Sequence, residues 1–146
     1  MPQVTPQAQI LDAIPHREPF LLIDEIVEKD DSHIVCRKTF SGKEFWYAGH
    51  YPEFPLTPGV LLCEAGMQAG AVLLSRFAEE GNGVPVATRI NEVRFKKPVL
   101  PGDTIDISVD LTERLADAFF MSAKITVDGK VAVRFSFACT MTTIEA

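Results

Sequence analysis

Positive charge is what this chain is short of: 14 lysines and arginines stand against 20 aspartates and glutamates, a formal net charge of −6. An acidic chain lacks the general attraction to phosphate that nucleic-acid binding needs, which argues against that class. Cysteine is scarce as well. Cys36, Cys63 and Cys139 are odd in number, far apart and without a C-x-x-C pair, which argues against a disulfide framework and fits a reducing cytoplasm. The histidines His16, His33 and His50 are too scattered for a metal site. Long apolar runs are missing too. The nearest candidate, residues 60–74, is interrupted by Glu64, Gln68 and glycines, so it reads as a core helix and no membrane partner is expected. The opening MPQVTPQAQI has no basic region followed by an apolar stretch, so no signal peptide is expected. Repeats, linkers and low-complexity segments are absent from the pattern, and 146 residues suffice for one fully cored domain spanning 1–146.

What the chain does have is concentrated in residues 49–68, GHYPEFPLTPGVLLCEAGMQ. Pro52, Pro55 and Pro58 stiffen the first half, since each fixes φ and removes a backbone donor. Thr57 suits a helix N-cap and Pro58 the first helical position, predicting a helix over 60–77. Its residues are apolar or small on nearly every face, the pattern of a buried helix, and Glu64 is the only charge between Pro58 and Ser75. A lone carboxylate in such a place is expected to hold its proton, as a general acid must. His50, at the other end of the loop, titrates near neutral pH and is a candidate base. Gly59 offers an unobstructed N–H at the positive end of the helix dipole, a natural place for a developing oxyanion. Singly these features are ordinary; together on one loop–helix unit they point to proton abstraction beside a polarised carbonyl. Cys63, next to Glu64, reads as a small buried side chain rather than a nucleophile.

Around this unit, residues 6–14 are predicted to form a short helix, with Thr5 as its cap. Residues 20–28 and 33–40 read as strands joined by a turn at 29–32, and Gly81-Asn82-Gly83 reads as the cap closing the long helix. A strand is expected within 84–95. Residues 104–112 alternate cleanly, with Ile105, Ile107, Val109 and Leu111 on one face. Residues 119–127 and 131–142 flank Asp128-Gly129, a strong hairpin signal. The expected class is α+β, a curved antiparallel sheet of about six strands wrapped around one long helix. Small residues at Ala65, Gly66, Ala69 and Gly70 would let the sheet approach that helix closely.

Three ordered motifs carry a resemblance over nearly the whole chain. They are Ile14-Pro15-His16-Arg17 with Pro19-Phe20-Leu21-Leu22-Ile23-Asp24; Gly49-His50-Tyr51-Pro52, Pro58-Gly59-Val60-Leu61 and Glu64-Ala65 with Gln68; and Arg94-Phe95, Pro98-Val99 and Pro101-Gly102-Asp103. In these the chain resembles the (3R)-hydroxyacyl-[acyl-carrier-protein] dehydratases of type II fatty-acid synthesis, the small hot-dog enzymes. Glu64, where the dehydratase–isomerase branch carries Asp, favours the dehydratase-only branch. Arg89 stands where the family usually shows Gly, and Trp46-Tyr47 make the loop before His50 bulkier than usual.

The resemblance implies a hot-dog fold and a homodimer whose sheets join, with a trimer of dimers as the larger assembly. It implies that His50 of one chain works with Glu64 of the other, that Gly59 donates to the thioester carbonyl, and that Gln68 orients Glu64. The substrate would be a (3R)-3-hydroxyacyl thioester on acyl carrier protein, converted to the trans-2-enoyl thioester. Elimination changes no oxidation state overall, so no cofactor or metal is called for. Leu61, Leu62 and Met67 could border an acyl tunnel, with core packing the more ordinary role for most of them. Docking of an acidic carrier needs a positive patch, and Arg94, Lys96 and Lys97 form the densest one. Two rivals stand beside this reading: a hot-dog acyl-CoA thioesterase, and a non-catalytic acyl-binding paralogue.

Overall fold

The computed structural model describes residues 6–78 and 83–143. Helix α1 (Pro6–Ala13) starts on a proline, whose φ suits a first turn, and turns Ile10 into the core. Its C-terminal carbonyls are closed by one side chain: Arg17 donates to the carbonyl oxygens of Leu11, Ile14 and His16.

The next segment departs from expectation. Strand β1 is only Glu25–Lys29, although residues 20–24 have strand-like composition. Leu21, Leu22 and Ile23 are almost wholly buried, yet this stretch pairs its backbone with a side chain instead of a neighbouring strand. The Leu22 N–H donates to Gln68 Oε1 at 2.8 Å, and Gln68 Nε2 donates to the Phe20 carbonyl at 2.8 Å. Strand β2 (His33–Thr39) returns antiparallel to β1.

Helix α2 (Gly59–Leu73) is the element the sheet encloses. A break at Leu74 (φ −88°, ψ 0°) separates it from the single turn α3 (Ser75–Phe77), so the expected helix over 60–77 is divided. Of the expected closing cap, Gly81 and Asn82 lie outside the described residues. The likeness to an all-round buried helix is also incomplete. Val60 is 73% exposed, and Glu64 and Met67, at i+4 and i+7 from it, are only half-buried. One stripe of α2 therefore faces out of the single chain.

Four strands follow: β3 (Val84–Phe95), β4 (Thr104–Leu115), β5 (Ala118–Val127) and β6 (Lys130–Thr142). Asp128 and Gly129 both take positive φ, 50° and 79°, in the tight turn between the last two. The sheet is antiparallel in the order β1-β2-β4-β5-β6-β3. Its register sets one row, Cys36–Ile107–Ile125–Val133, across four strands, and a second, Ile34–Val109–Ala123–Phe135, beside it. Both rows are buried against the helix. A β-carbon on Gly66 would come within 2.7 Å of Phe135 Cζ, and one on Gly70 within 2.7 Å of Phe137 Cζ. The small residues of α2 thus admit phenyl rings of β6 rather than sheet backbone. The fold is α+β, a hot-dog: one sheet curled round one helix.

Candidate active site

The loop before α2 is held from both sides. Trp46 and Tyr47 are buried, and the Tyr47 hydroxyl meets Thr57 Oγ1 at 2.6 Å while the Thr57 N–H donates to the Val99 carbonyl at 2.8 Å. Thr57 is therefore not the predicted N-cap. The residue preceding the helix is Pro58 (φ −56°, ψ 128°), and no side chain caps α2. The consequence is chemical. Neither the Gly59 nor the Val60 N–H has a hydrogen-bond partner among the described residues, so the positive end of α2 presents bare donors.

His50 opens onto these donors. A cavity of about 500 Å³ is lined by His50, Gly59, Val60, Leu62 and Phe95, with Lys96 and Lys97 at its margin. His50 Nδ1 lies 2.9 Å from the Leu56 carbonyl oxygen. A carbonyl only accepts, so Nδ1 carries the hydrogen and Nε2 presents its lone pair. Tyr51, in the left-handed region at φ 54°, stands edge-on to the imidazole at 4.8 Å. Such a conformation costs energy in a side-chain-bearing residue and is common where a loop must aim a neighbour. Of the apolar residues considered for a tunnel, Leu62 reaches this cavity; Leu61 and Met67 pack against the core.

Glu64 lies apart from this cavity. It is not the isolated buried carboxylate the helix pattern implied, because 22% of its side-chain surface is exposed in the single chain. Gln68 Nε2 donates to its Oε1 at 3.1 Å, and His16 Nε2 lies 3.6 Å from the same oxygen. Among the described residues no hydrogen bond or ion pair joins Glu64 to His50. Sequence reasoning placed His16 within a motif but gave it no part in the site. Only the fold brings residues 16 and 64 together.

The cysteines are remote from chemistry. Burial pushes the thiol of Cys36 up to about 12 and that of Cys139 up to about 11, and raises Cys63 as well, so none is a thiolate near neutral pH. Among the described residues no three metal-ligating side chains cluster, and no helix is long and apolar enough to cross a membrane.

The basic residues divide between two places. Lys97 borders the His50 cavity, Arg94 lines a groove of about 530 Å³ on the outer sheet face, and Lys96 borders both. Register brings two further cations into the groove that sequence alone did not single out: Arg94 sits opposite Arg134, which sits opposite Lys124. Arg89 stacks its guanidinium over Phe120 at 5.7 Å.

Residues 14–136 match the FabA-like domain family. The 3-hydroxyacyl-[acyl-carrier-protein] dehydratase FabZ of Clostridium perfringens strain SM101 is 42% identical over 124 residues, covering 85% of this chain and 89% of that protein. The chain belongs to the FabZ dehydratase family. The FabZ protein of Staphylococcus saprophyticus is likewise similar, 43% identical over 125 residues, covering 85% of this chain and 86% of its own length. Among solved structures, the dehydratase heterocomplex ApeI:P of Xenorhabdus doucetiae matches with a TM-score of 0.76 at 18% identity, over 92% of this chain and 91% of that one. A hypothetical thioesterase from Streptococcus pneumoniae, solved with coenzyme A, matches with a TM-score of 0.66 at 14% identity over 96% of both chains. At such identities these two speak for the fold alone. For a FabZ-family chain the site above is the place to look for the dehydration chemistry.

Proposed function

We propose that His50, Gly59 and Glu64 carry out the dehydration, with His50 and Gly59 of one chain facing Glu64 of a second. The chain is a 3-hydroxyacyl-[acyl-carrier-protein] dehydratase by family, converting a (3R)-3-hydroxyacyl thioester to the trans-2-enoyl thioester of fatty-acid biosynthesis. The Gly59 N–H, with the helix dipole behind it, donates to the thioester carbonyl oxygen, stabilises the negative charge that develops there and so acidifies the C2 proton. His50 Nε2 takes that proton; the C2–H electron pair becomes the C2=C3 double bond. The C3–O bond breaks, and Glu64 gives its proton to the departing hydroxyl, which leaves as water.

The observation that carries this reading is the open stripe of α2. Val60 is exposed and Glu64 and Met67 are only half-buried, the apolar Phe95 is exposed at the cavity, and the twelve-residue β3 forms an unpaired sheet edge. An edge of that length is a template for a second copy, and joining two β3 strands would close the stripe and the cavity together. We take the unit to be one domain over 1–146, acting as a homodimer in the cytoplasm, with the larger trimer of dimers as its further assembly. Acyl carrier protein is placed at Arg94, Lys96 and Lys97, because Lys96 borders both the outer groove and the catalytic cavity.

The test is a spectroscopic assay of enoyl-thioester hydration over a series of chain lengths. Hydration lost in both His50→Ala and Glu64→Gln is the expected result. Free thiol released from a saturated acyl-CoA would instead make the chain a thioesterase, and unchanged function in both variants would make it a binding paralogue.

A further inference from the structure

Among the described residues at the site, His16 is the half-buried histidine that the dehydration scheme leaves without a task. It lies in the connection between α1 and β1, and its Nε2 is 3.6 Å from Glu64 Oε1. Its other ring nitrogen, Nδ1, is buried with no hydrogen-bond partner among the described residues. An orphaned buried N–H is rarer and costlier than an orphaned lone pair, so the ring hydrogen belongs on Nε2, facing the carboxyl. A second proton on the ring would leave a charged Nδ1–H stranded without a partner. Desolvation by burial does most to hold His16 below its ordinary range; Glu64 on α2 works against this and the neighbouring Arg17 works with it.

Gln68 approaches the same oxygen and cannot be turned round. Its Oε1 is taken by the Leu22 N–H, so its Nε2 hydrogens must serve the Phe20 carbonyl and Glu64 Oε1. Gln68 Nε2 thus donates to Oε1 at 3.1 Å and His16 Nε2 faces the same oxygen at 3.6 Å, while Oε2 has no hydrogen-bond or ion-pair partner among the described residues. We propose that His16 is a positioning residue of the dehydration: as a neutral Nε2–H group it keeps Glu64 Oε1 in the accepting role and places the transferable proton on Oε2. The assignment rests on Glu64 being the acid. It also explains why a histidine here must stay uncharged, since a cation beside Oε1 would hold the carboxyl ionised and unable to give a proton.

The experiment compares His16→Gln, His16→Leu and His16→Lys with the parent enzyme, measuring kcat, KM and the pH profile of kcat, with circular dichroism to check folding. His16→Leu is expected to lose about tenfold in kcat with KM within about twofold, and His16→Gln, which restores a neutral N–H, to recover most of that loss. His16→Lys is expected to move the alkaline limb of the kcat profile down by about one pH unit, because a fixed cation favours the carboxylate. A His16→Leu enzyme with unchanged kcat, a His16→Gln enzyme no better than His16→Leu, or a folded His16→Lys enzyme with an unmoved limb would each overturn the assignment. Glu64→Gln is run alongside. If it is inactive while the His16 variants match the parent, only the role of His16 falls. If it is fully active, Glu64 is not the acid and both readings fall.

Discussion

Phe95 packs on Gly59 with no room left for a side chain: a β-carbon on residue 59 would lie 2.5 Å from ring atom Cε1. Phe95 is 57% exposed, so its ring can swing aside. In Gly59→Ala the ring displacement costs about 0.5–1.5 kcal/mol, while alanine in a first helical turn gains about as much. The expected outcome is a thermal midpoint within a few degrees of the parent and a fall in kcat of about 100-fold, as when one oxyanion donor is obstructed. Thermal melts and steady-state kinetics on the same sample check both halves.

His50 and Glu64 make no contact within the single chain, which sets up a complementation test. His50→Ala and Glu64→Gln, each inactive alone, are refolded together. If the two residues come from different chains, half the dimers are mixed and each holds one intact site, giving about a quarter of parental activity. A site built within one chain would give no recovery.

Charge reversal separates docking from chemistry. Arg94→Glu combined with Arg134→Glu is expected to raise KM for a carrier-protein thioester about tenfold at low salt, with the difference shrinking as salt rises. Turnover of a short pantetheine thioester should stay within about twofold of the parent. Equal losses on both substrates would remove the docking surface from consideration.

Gln68 makes three hydrogen bonds through one amide and ties α2 to residues 20–22. Gln68→Ala strands the buried Leu22 N–H and unpairs the Phe20 carbonyl. The expected loss is about 1–3 kcal/mol for the stranded donor, seen as a lower denaturation midpoint in urea. Kinetics should also suffer, since Glu64 Oε1 loses its 3.1 Å donor.

The pH dependence of stability carries a sign from His16. Its folded-state value lies below the ordinary 6.5, so the unfolded chain binds the proton more readily. The contribution is fully present above the unfolded-state value of 6.5 and is lost as pH falls from there through the lower folded-state value. Melting temperatures measured between pH 5 and 7 should therefore rise more steeply for the parent than for His16→Gln. Parallel curves would count against a buried neutral His16.

Periodicity and turn chemistry alone determined the long helix, strands β4, β5 and β6, and the Asp128–Gly129 turn, because those features depend on neighbours a few residues away. The loop–helix pairing of His50 with Gly59 was legible for the same reason: one short segment carries both. Three things were decided only in the folded chain. Residues 20–24 look like strand, yet Gln68, 46 positions from Leu22, takes the Leu22 N–H and the Phe20 carbonyl. Thr57 looks like a cap, yet Tyr47 and Val99 claim it first. The helix looks buried on every side, yet its Val60–Glu64–Met67 stripe stays open in one chain. In each case a partner distant along the chain, or a surface left for one outside it, competes with a local preference worth about 1 kcal/mol, and local spacing says nothing about which distant group will be there.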